Sequence, residues 1–269
     1  MDEIQRITVI GGRGKDGCPE PVGEVAFEMG DVVSIVGPTG CGKTTLINDI
    51  ELFADGDTPS ARRVLIDGRR RSDDLEGDPS KNPIALISQH TNFLSDLPVR
   101  EFLCTHATIR KSGEPAALVQ ETLGFANQLT GEPIDPDCKM TGLSGGQTRA
   151  LLIADAVIIG NAPIVLLDEI ENAGIHRTRA LELLRQYRKI FIFVTHDPRI
   201  ALLSDYRIVM GRGAMLKVIY TDPEEQAMAG EIGKIDDLLL EFRSTLRAGG
   251  RLTGRDMDKL RALALPELA

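Results

Sequence analysis

The stretch Gly37-Pro38-Thr39-Gly40-Cys41-Gly42-Lys43-Thr44-Thr45 constrains this chain more than any other. An apolar run, Val32 to Val36, precedes it, and a helix-like run beginning Leu46-Ile47 follows, so the spacing predicts a strand, a glycine-rich loop and a helix. Glycines at 37, 40 and 42 let the backbone curl until successive N–H groups point inward, and the helix adds the positive end of its dipole. Such a cradle holds the phosphates of a nucleoside triphosphate. Lys43 then reaches the outer phosphates, and the Thr44 hydroxyl is placed to ligate a Mg²⁺ that bridges them.

Other function classes are disfavoured by composition. A net charge of −9 speaks against a broad electrostatic footprint on DNA or RNA, so nucleic acid is not the expected partner. The cysteines at 18, 41, 104 and 138 form no C-x-x-C pair, which predicts neither a zinc site nor a disulfide framework and fits a reduced, cytoplasmic setting. The acidic start Met1-Asp2-Glu3 is unlike a signal peptide, and no apolar run reaches the ~18 residues of a membrane span. Work at a membrane would need another chain to do the spanning. With 42% hydrophobic residues over 269 positions, one large domain with an appendage is expected.

Residues 5–10 and 23–27 read as short strands of an antiparallel edge, separated by the glycine-rich segment Gly11 to Gly17 and by Cys18 to Pro21. Residues 63–66 form a strand entering a turn at Asp67-Gly68, and 69–82 a solvated, charged loop. The strand 84–87 ends just before Gln89, at the strand end where open α/β sheets meet ligands. Helices are predicted at 99–109 and 116–129, the second opened by Glu114-Pro115. Without strand signals between His90 and Met140, that region is expected to be a helical subdomain inserted into the sheet domain.

Leu143-Ser144-Gly145-Gly146-Gln147 introduces the next helix, and by itself serves equally as a flexible cap. Ile164 to Leu167 is a continuous apolar run suited to a strand buried on both faces, ending in Asp168-Glu169. Adjacent carboxylates at such a strand end point to a metal and a reactive water. A helix over 178–189 with Leu181, Leu184 and Tyr187 inward leaves Arg177, Arg179, Arg185, Arg188 and Lys189 on a solvated face. The strand 190–194 leads to Thr195-His196-Asp197, placing His196 at a fourth strand end that carries a polar group. A hairpin around Gly211-Arg212-Gly213 closes the sheet. After it, Asp222-Pro223-Glu224-Glu225 starts a helix with Ile232, Ile235, Leu238, Leu239, Phe242 and Leu246 at helical spacing. A second short helix is expected near Asp256 to Leu265, and this tail is expected to pack on the core or on a second copy.

In this order the motifs resemble those of the ATP-binding cassette (ABC) ATPases, over about residues 4 to 220. Gly37 to Thr45 resembles the Walker A loop, Gln89 the Q-loop, Leu143 to Gln147 the family signature, Ile164 to Glu169 Walker B and His196 the switch histidine. The resemblance implies an α/β P-loop fold, with a mixed sheet core, an antiparallel β subdomain and a helical subdomain at about 91–142. It places the ATPase domain at 1–221 and a helical extension at 222–269. It also implies a homodimer that sandwiches two ATP molecules, each between Lys43 of one copy and Ser144-Gly145-Gly146 of the other, with Gln147 completing the signature.

By the same resemblance Asp168, Thr44 and Gln89 would hold Mg²⁺, Glu169 would polarise the attacking water, and His196 would keep water and γ-phosphate in register. Three features depart from the family pattern. Arg13 and Lys15 stand where an aromatic usually stacks on adenine, Ile170-Glu171-Asn172-Ala173-Gly174-Ile175 replaces the usual segment after Walker B, and Asp155 replaces a common basic residue. The resemblance leaves three readings. The chain energises a transporter through a separate transmembrane partner at the inner face of the membrane, remodels a soluble client protein or cofactor enzyme, or binds nucleotide without turnover.

Overall fold

The computed structural model describes residues 4–70, 82–88, 91–110, 114–169 and 177–264. Among them, largely apolar runs of four to seven residues form the strands of a six-stranded sheet. These are β3 (Val32–Val36), β5 (Ile84–Ile87), β6 (Ile164–Asp168), β7 (Ile190–Val194), β8 (Tyr206–Gly211) and β9 (Ala214–Tyr220). The order across the sheet is β5-β6-β7-β3-β8-β9, parallel throughout except for β9, which returns antiparallel beside β8. A separate three-stranded antiparallel sheet runs β2 (Glu24–Glu28), β1 (Arg6–Ile10), β4 (Arg63–Ile66).

Successive side chains of a strand point to opposite faces, and the core divides accordingly. Ile164, Leu166, Ile190, Ile192 and Val194 pack into one cluster with β1, β2, β4 and α1 (Lys43–Glu51). Val165, Leu167, Phe191 and Phe193 face the opposite cluster. That cluster is filled by α2 (Val99–Arg110), α3 (Pro115–Leu129), α4 (Gly145–Val157) and α5 (Arg177–Leu184). The helices inserted between β5 and β6 therefore share a core with the sheet. Asp155 of α4 has a structural use there. Arg110 Nε donates to His106 Nε2 at 3.3 Å, so the His106 Nδ1–H faces Asp155 Oδ1 at 2.8 Å and joins α2 to α4.

One expectation is corrected. Instead of running through residue 189, α5 ends at Leu184, and its apolar residues Leu181 and Leu184 are buried. Arg185, beyond the helix, pairs with Asp205 at 3.0 Å. Lys189 is buried, and its ammonium donates to Asn161 Oδ1 at 2.7 Å and to the Ala162 carbonyl at 3.0 Å. Burial lowers its pKa to about 8.

Residues Met1–Tyr220 and Thr221–Ala269 form two compact units. The first also contains α6 (Pro198–Leu203), capped by Asp197, whose Oδ1 accepts from Arg199 N. The second consists of α7 (Pro223–Arg247) and α8 (Gly254–Ala264), with Asp222 Oδ1 accepting from Glu225 N at the start of α7. No helix of the described residues is long and apolar enough to cross a membrane.

Candidate nucleotide site

Parallel register brings three loops to one edge of the large sheet. Ile35 is level with Val194 across β3 and β7, and Val194 is level with Asp168 across β7 and β6. The glycine-rich loop, Glu169 and His196 each begin within two residues of that row.

The loop is shaped by contacts that leave no room for a side chain at two of its glycines. A Cβ on Gly37 would lie 2.5 Å from the Met210 carbonyl oxygen, and one on Gly42 would lie 2.9 Å from Gly213 Cα. Gly42, at φ 102°, is also the N-cap of α1, in a left-handed conformation that disfavours a side chain. Cys41 is buried and its carbonyl accepts from Gly213 N at 2.8 Å, while Pro38, Thr39 and Gly40 are exposed. The amides of Lys43, Thr44 and Thr45 open the helix, so they lack intrahelical acceptors and can donate to an anion with the dipole behind them.

Lys43 is only 6% exposed and its ammonium lies inside the curl, donating to Gly37 O at 2.8 Å and Pro38 O at 3.2 Å. It also lies 3.1 Å from His196 Nε2. An ammonium can only donate, so Nε2 accepts and the imidazole proton sits on Nδ1. The same Nε2 is 3.6 Å from Glu169 Oε1; with no proton on Nε2 the two are neighbouring acceptors, neither a hydrogen bond nor an ion pair. Lys43, His196 and Glu169 are therefore clustered.

Glu169 itself has φ 50°, a left-handed conformation for a residue with a side chain. Its N–H donates to the Val194 carbonyl at 3.0 Å, which fixes the carboxylate beyond the sheet edge. Asp168, half-buried, ends β6, and Thr44 and Thr45 are exposed in the first turn of α1. The Thr44 hydroxyl and the Asp168 carboxylate are hard oxygen donors suited to Mg²⁺, which keeps several waters and leans on phosphates. Among the described residues no group of three or more His, Cys, Asp or Glu gathers into an all-protein cage.

The signature stretch is a helix start at which Ser144 and Gly145 are exposed and Gly146 and Gln147 half-buried. Ser144 caps α4: its Oγ accepts from Gln147 N at 3.3 Å while Ser144 N donates to Gln147 Oε1 at 2.9 Å. The Gln147 amide nitrogen donates to Pro133 O at 3.1 Å. Nothing lies within 4 Å of a Cβ built on Gly145, and the amides of Gly145 and Gly146, in the first turn, lack intrahelical acceptors. Gln89 and the segment Ile170 to Ile175 lie outside the described residues.

Two features escape sequence reasoning. Lys15, read as a flat or cationic stand-in beside the base, instead donates its ammonium to Gly40 O at 2.8 Å and its N–H to Arg212 O at 2.8 Å, adding a second cation at the loop. Behind the loop, Arg62 is fully buried and forks onto Glu20 through Nε (3.0 Å) and NH2 (2.5 Å), onto Asp49 through NH1 (2.9 Å) and onto Gly213 O through NH2 (2.8 Å). Glu20 accepts in addition from Gly12 N and Met215 N, and Asp49 from Ser60 Oγ. Burial works against the Arg62 charge, but the hydrogen bonds and charges of Glu20 and Asp49 outweigh it and raise its pKa.

A strand, a glycine cradle and a helix, with a lysine inside the curl and a carboxylate and histidine beside it, define a P-loop nucleoside triphosphatase. The family described as ABC transporter matches residues 24–172. An uncharacterized ABC transporter ATP-binding protein of Methanocaldococcus jannaschii is 49% identical over 95% of this chain and 98% of its own length. A spermidine/putrescine import ATP-binding protein of Lawsonia intracellularis is 31% identical over 78% of this chain, and the chain spans 58% of that relative. A dimeric ATP-binding cassette in a post-hydrolysis state with ADP and Pi superposes with TM-score 0.61 at 22% identity, over 80% of this chain and 99% of that one. A bacterial Atm1-family ABC exporter with ATP bound gives 0.61 at 22% identity, over 82% of this chain and 39% of that one. This chain belongs to the ABC ATPase family, and it binds and hydrolyses ATP.

Proposed function

We propose that two copies of this chain clamp two ATP molecules and that each cycle of clamping and release drives a separate transmembrane partner at the inner face of the membrane. The observation that carries the reading is the cluster of Lys43, His196 and Glu169 at one sheet edge, together with a helix start elsewhere on the same chain where Ser144 and Gly145 are exposed. Lys43 holds the outer phosphates, replacing its contacts to Gly37 O and Pro38 O with phosphate oxygens. Glu169 accepts a proton from the water that attacks the γ-phosphorus as the bond to ADP breaks, and His196 keeps that water and phosphate aligned. Mg²⁺, when held by Thr44, Asp168 and Gln89, supplies charge neutralisation on the phosphates.

The partner copy's Ser144 hydroxyl, Gly145 and Gly146 amides and Gln147 would complete the γ-phosphate's surroundings, where positioned dipoles stabilise developing charge. ATP then favours the closed pair because only that state makes both sets of contacts. No helix of the described residues is long and apolar enough to cross a membrane, and this reading assigns the membrane component to another chain. A soluble client has no observation in its favour.

The test pairs wild type with Glu169→Gln. Phosphate release should fall by at least about 100-fold, the scale of losing a positioned general base. Light scattering should meanwhile detect an ATP-dependent dimer. Turnover that survives the exchange removes Glu169 from its role, and a pull-down from solubilised membranes that recovers only soluble proteins removes the transmembrane partner.

A further inference from the structure

The charges of the C-terminal unit are sorted by position. Between Pro223 and Glu241, α7 carries six carboxylates and one lysine. From Phe242 to Arg255 the sign reverses: the stretch holds Arg243, Arg247, Arg251 and Arg255 and no carboxylate, in a chain of net charge −9. All four arginine side chains are exposed, and none has a hydrogen bond or ion pair to a described residue. The fold gathers them. Helix α7 ends at Arg247 in a turn held by Gly249 N to Leu246 O (3.0 Å) and Gly250 N to Thr245 O (2.9 Å), with Gly249 at φ 78°. Helix α8 then returns along α7, with Lys259 paired to Glu241. Beyond that pair α7 continues for only about 9 Å, at 1.5 Å rise per residue, so the four cations crowd one end of the hairpin. Leu246, 55% exposed, and Leu252, 42% exposed, stand among them. The acids that follow are engaged: Asp256 accepts from Thr253 N at 2.7 Å and Oγ1 at 2.9 Å, and Asp258 pairs with Arg261 at 3.5 Å.

We infer that this turn docks on an anionic lipid bilayer, with the four guanidinium groups against lipid phosphates and Leu246 and Leu252 at the boundary of headgroup and acyl chain. Planar guanidinium forks match phosphate oxygens, and their alkyl stems lie along apolar surface while the charged heads stay at the polar level. The leucines decide between anionic partners. Single-stranded nucleic acid is met by aromatic faces on which bases stack, and the one aromatic of this stretch, Phe242, is half-buried. Aliphatic side chains set among cations instead fit hydrocarbon beneath a charged surface. The same surface repels the acidic part of α7, so the hairpin meets it end-on. This contact needs neither nucleotide nor a transmembrane partner, and so lies outside the ATP-driven cycle.

The experiment uses the full chain without nucleotide, so failure of the ATP clamp does not affect the result. Co-sedimentation with vesicles of equimolar phosphatidylserine and phosphatidylcholine should show binding that salt weakens and that vesicles of phosphatidylcholine alone lack. Arg243→Gln, Arg247→Gln, Arg251→Gln and Arg255→Gln together should weaken it at least about 100-fold, since each arginine near the surface contributes roughly fivefold, with unchanged circular dichroism. The chain contains no tryptophan, so Leu252→Trp is a single reporter whose emission should shift to the blue on the anionic vesicles. Met228→Trp, on the acidic part of α7, should not shift. Equal binding to both kinds of vesicle, a glutamine variant that binds like the parent, or a shift at both tryptophan positions or at neither would overturn the inference. So would tighter binding to oligouridylate or to polyglutamate than to the anionic vesicles.

Discussion

Replacing Arg62 tests whether the nucleotide loop is held from behind. Its fork contacts two carboxylates and the Gly213 carbonyl, and Gly213 N in turn donates to Cys41 O within the loop. Arg62→Met keeps the volume but leaves Glu20 and Asp49 buried with no cation, and breaking a buried pair on one side costs roughly 3–5 kcal/mol. Against a typical stability of about 5–15 kcal/mol that is a large fraction. Arg62→Lys keeps the charge without the planar fork, so it should lose about half as much. Chemical denaturation followed by circular dichroism gives the order Arg, Lys, Met, and titration with ATP should show affinity falling in the same order as Gly213 loosens. A loss under about 1 kcal/mol for Arg62→Met, or no difference between Lys and Met, would refute the claim that this fork organises the region.

Lys189 gives a pH signature. Its pKa falls from 10.5 to about 8 on folding, so between those values the unfolded chain binds more protons and stability rises with pH. Below about pH 8 the burial penalty is complete. The stability of wild type relative to Lys189→Met should therefore climb by up to about 1 kcal/mol per pH unit from pH 8 to 10, read from denaturation midpoints, and a flat difference would contradict it. Burial, aided by Asp31, raises the Tyr206 pKa, so above pH 10 its ionisation in the unfolded chain works the other way. Gly42→Ala should weaken ATP binding at least about tenfold by calorimetry, because its Cβ meets Gly213 Cα at 2.9 Å in a left-handed backbone. Glu169→Gly should abolish turnover yet match or exceed wild-type stability by up to about 1 kcal/mol, by relieving the positive φ.

What the sequence displayed was local. The Walker-type loop, the Ser144 cap with Gln147 three residues on, and Pro115 and Pro223 at helix starts announce themselves within a few positions, because the physics they report acts over one helical turn. The two-faced burial of Ile164 to Leu167 was readable for the same reason. Arg62 was not: its partners lie 42 and 13 positions away, and between Ala61 and Arg63 it reads as one more surface arginine. Lys189 followed the same pattern, since its neighbours Arg185 and Arg188 suggested a solvated helical face until Asn161 and Ala162 enclosed it.

The site's geometry is a consequence of core packing. Lys43, Glu169 and His196 are spread over more than a hundred positions, yet they meet because β3 inserts beside β7 and the row Ile35, Val194, Asp168 is level. That row is held by alternation: Ile190, Ile192 and Val194 go to one cluster, Phe191 and Phe193 to the other. A slip of one residue would turn every one of these side chains to the wrong face. A slip of two would keep the faces but move His196 roughly 6.6 Å along the sheet, beyond hydrogen-bond reach of Lys43. The side-chain volumes, the phenylalanines against Val165 and Leu167 above all, oppose such a slip and so help keep the imidazole at the ammonium. Buried residues with no chemistry of their own therefore set the distance on which the reaction depends.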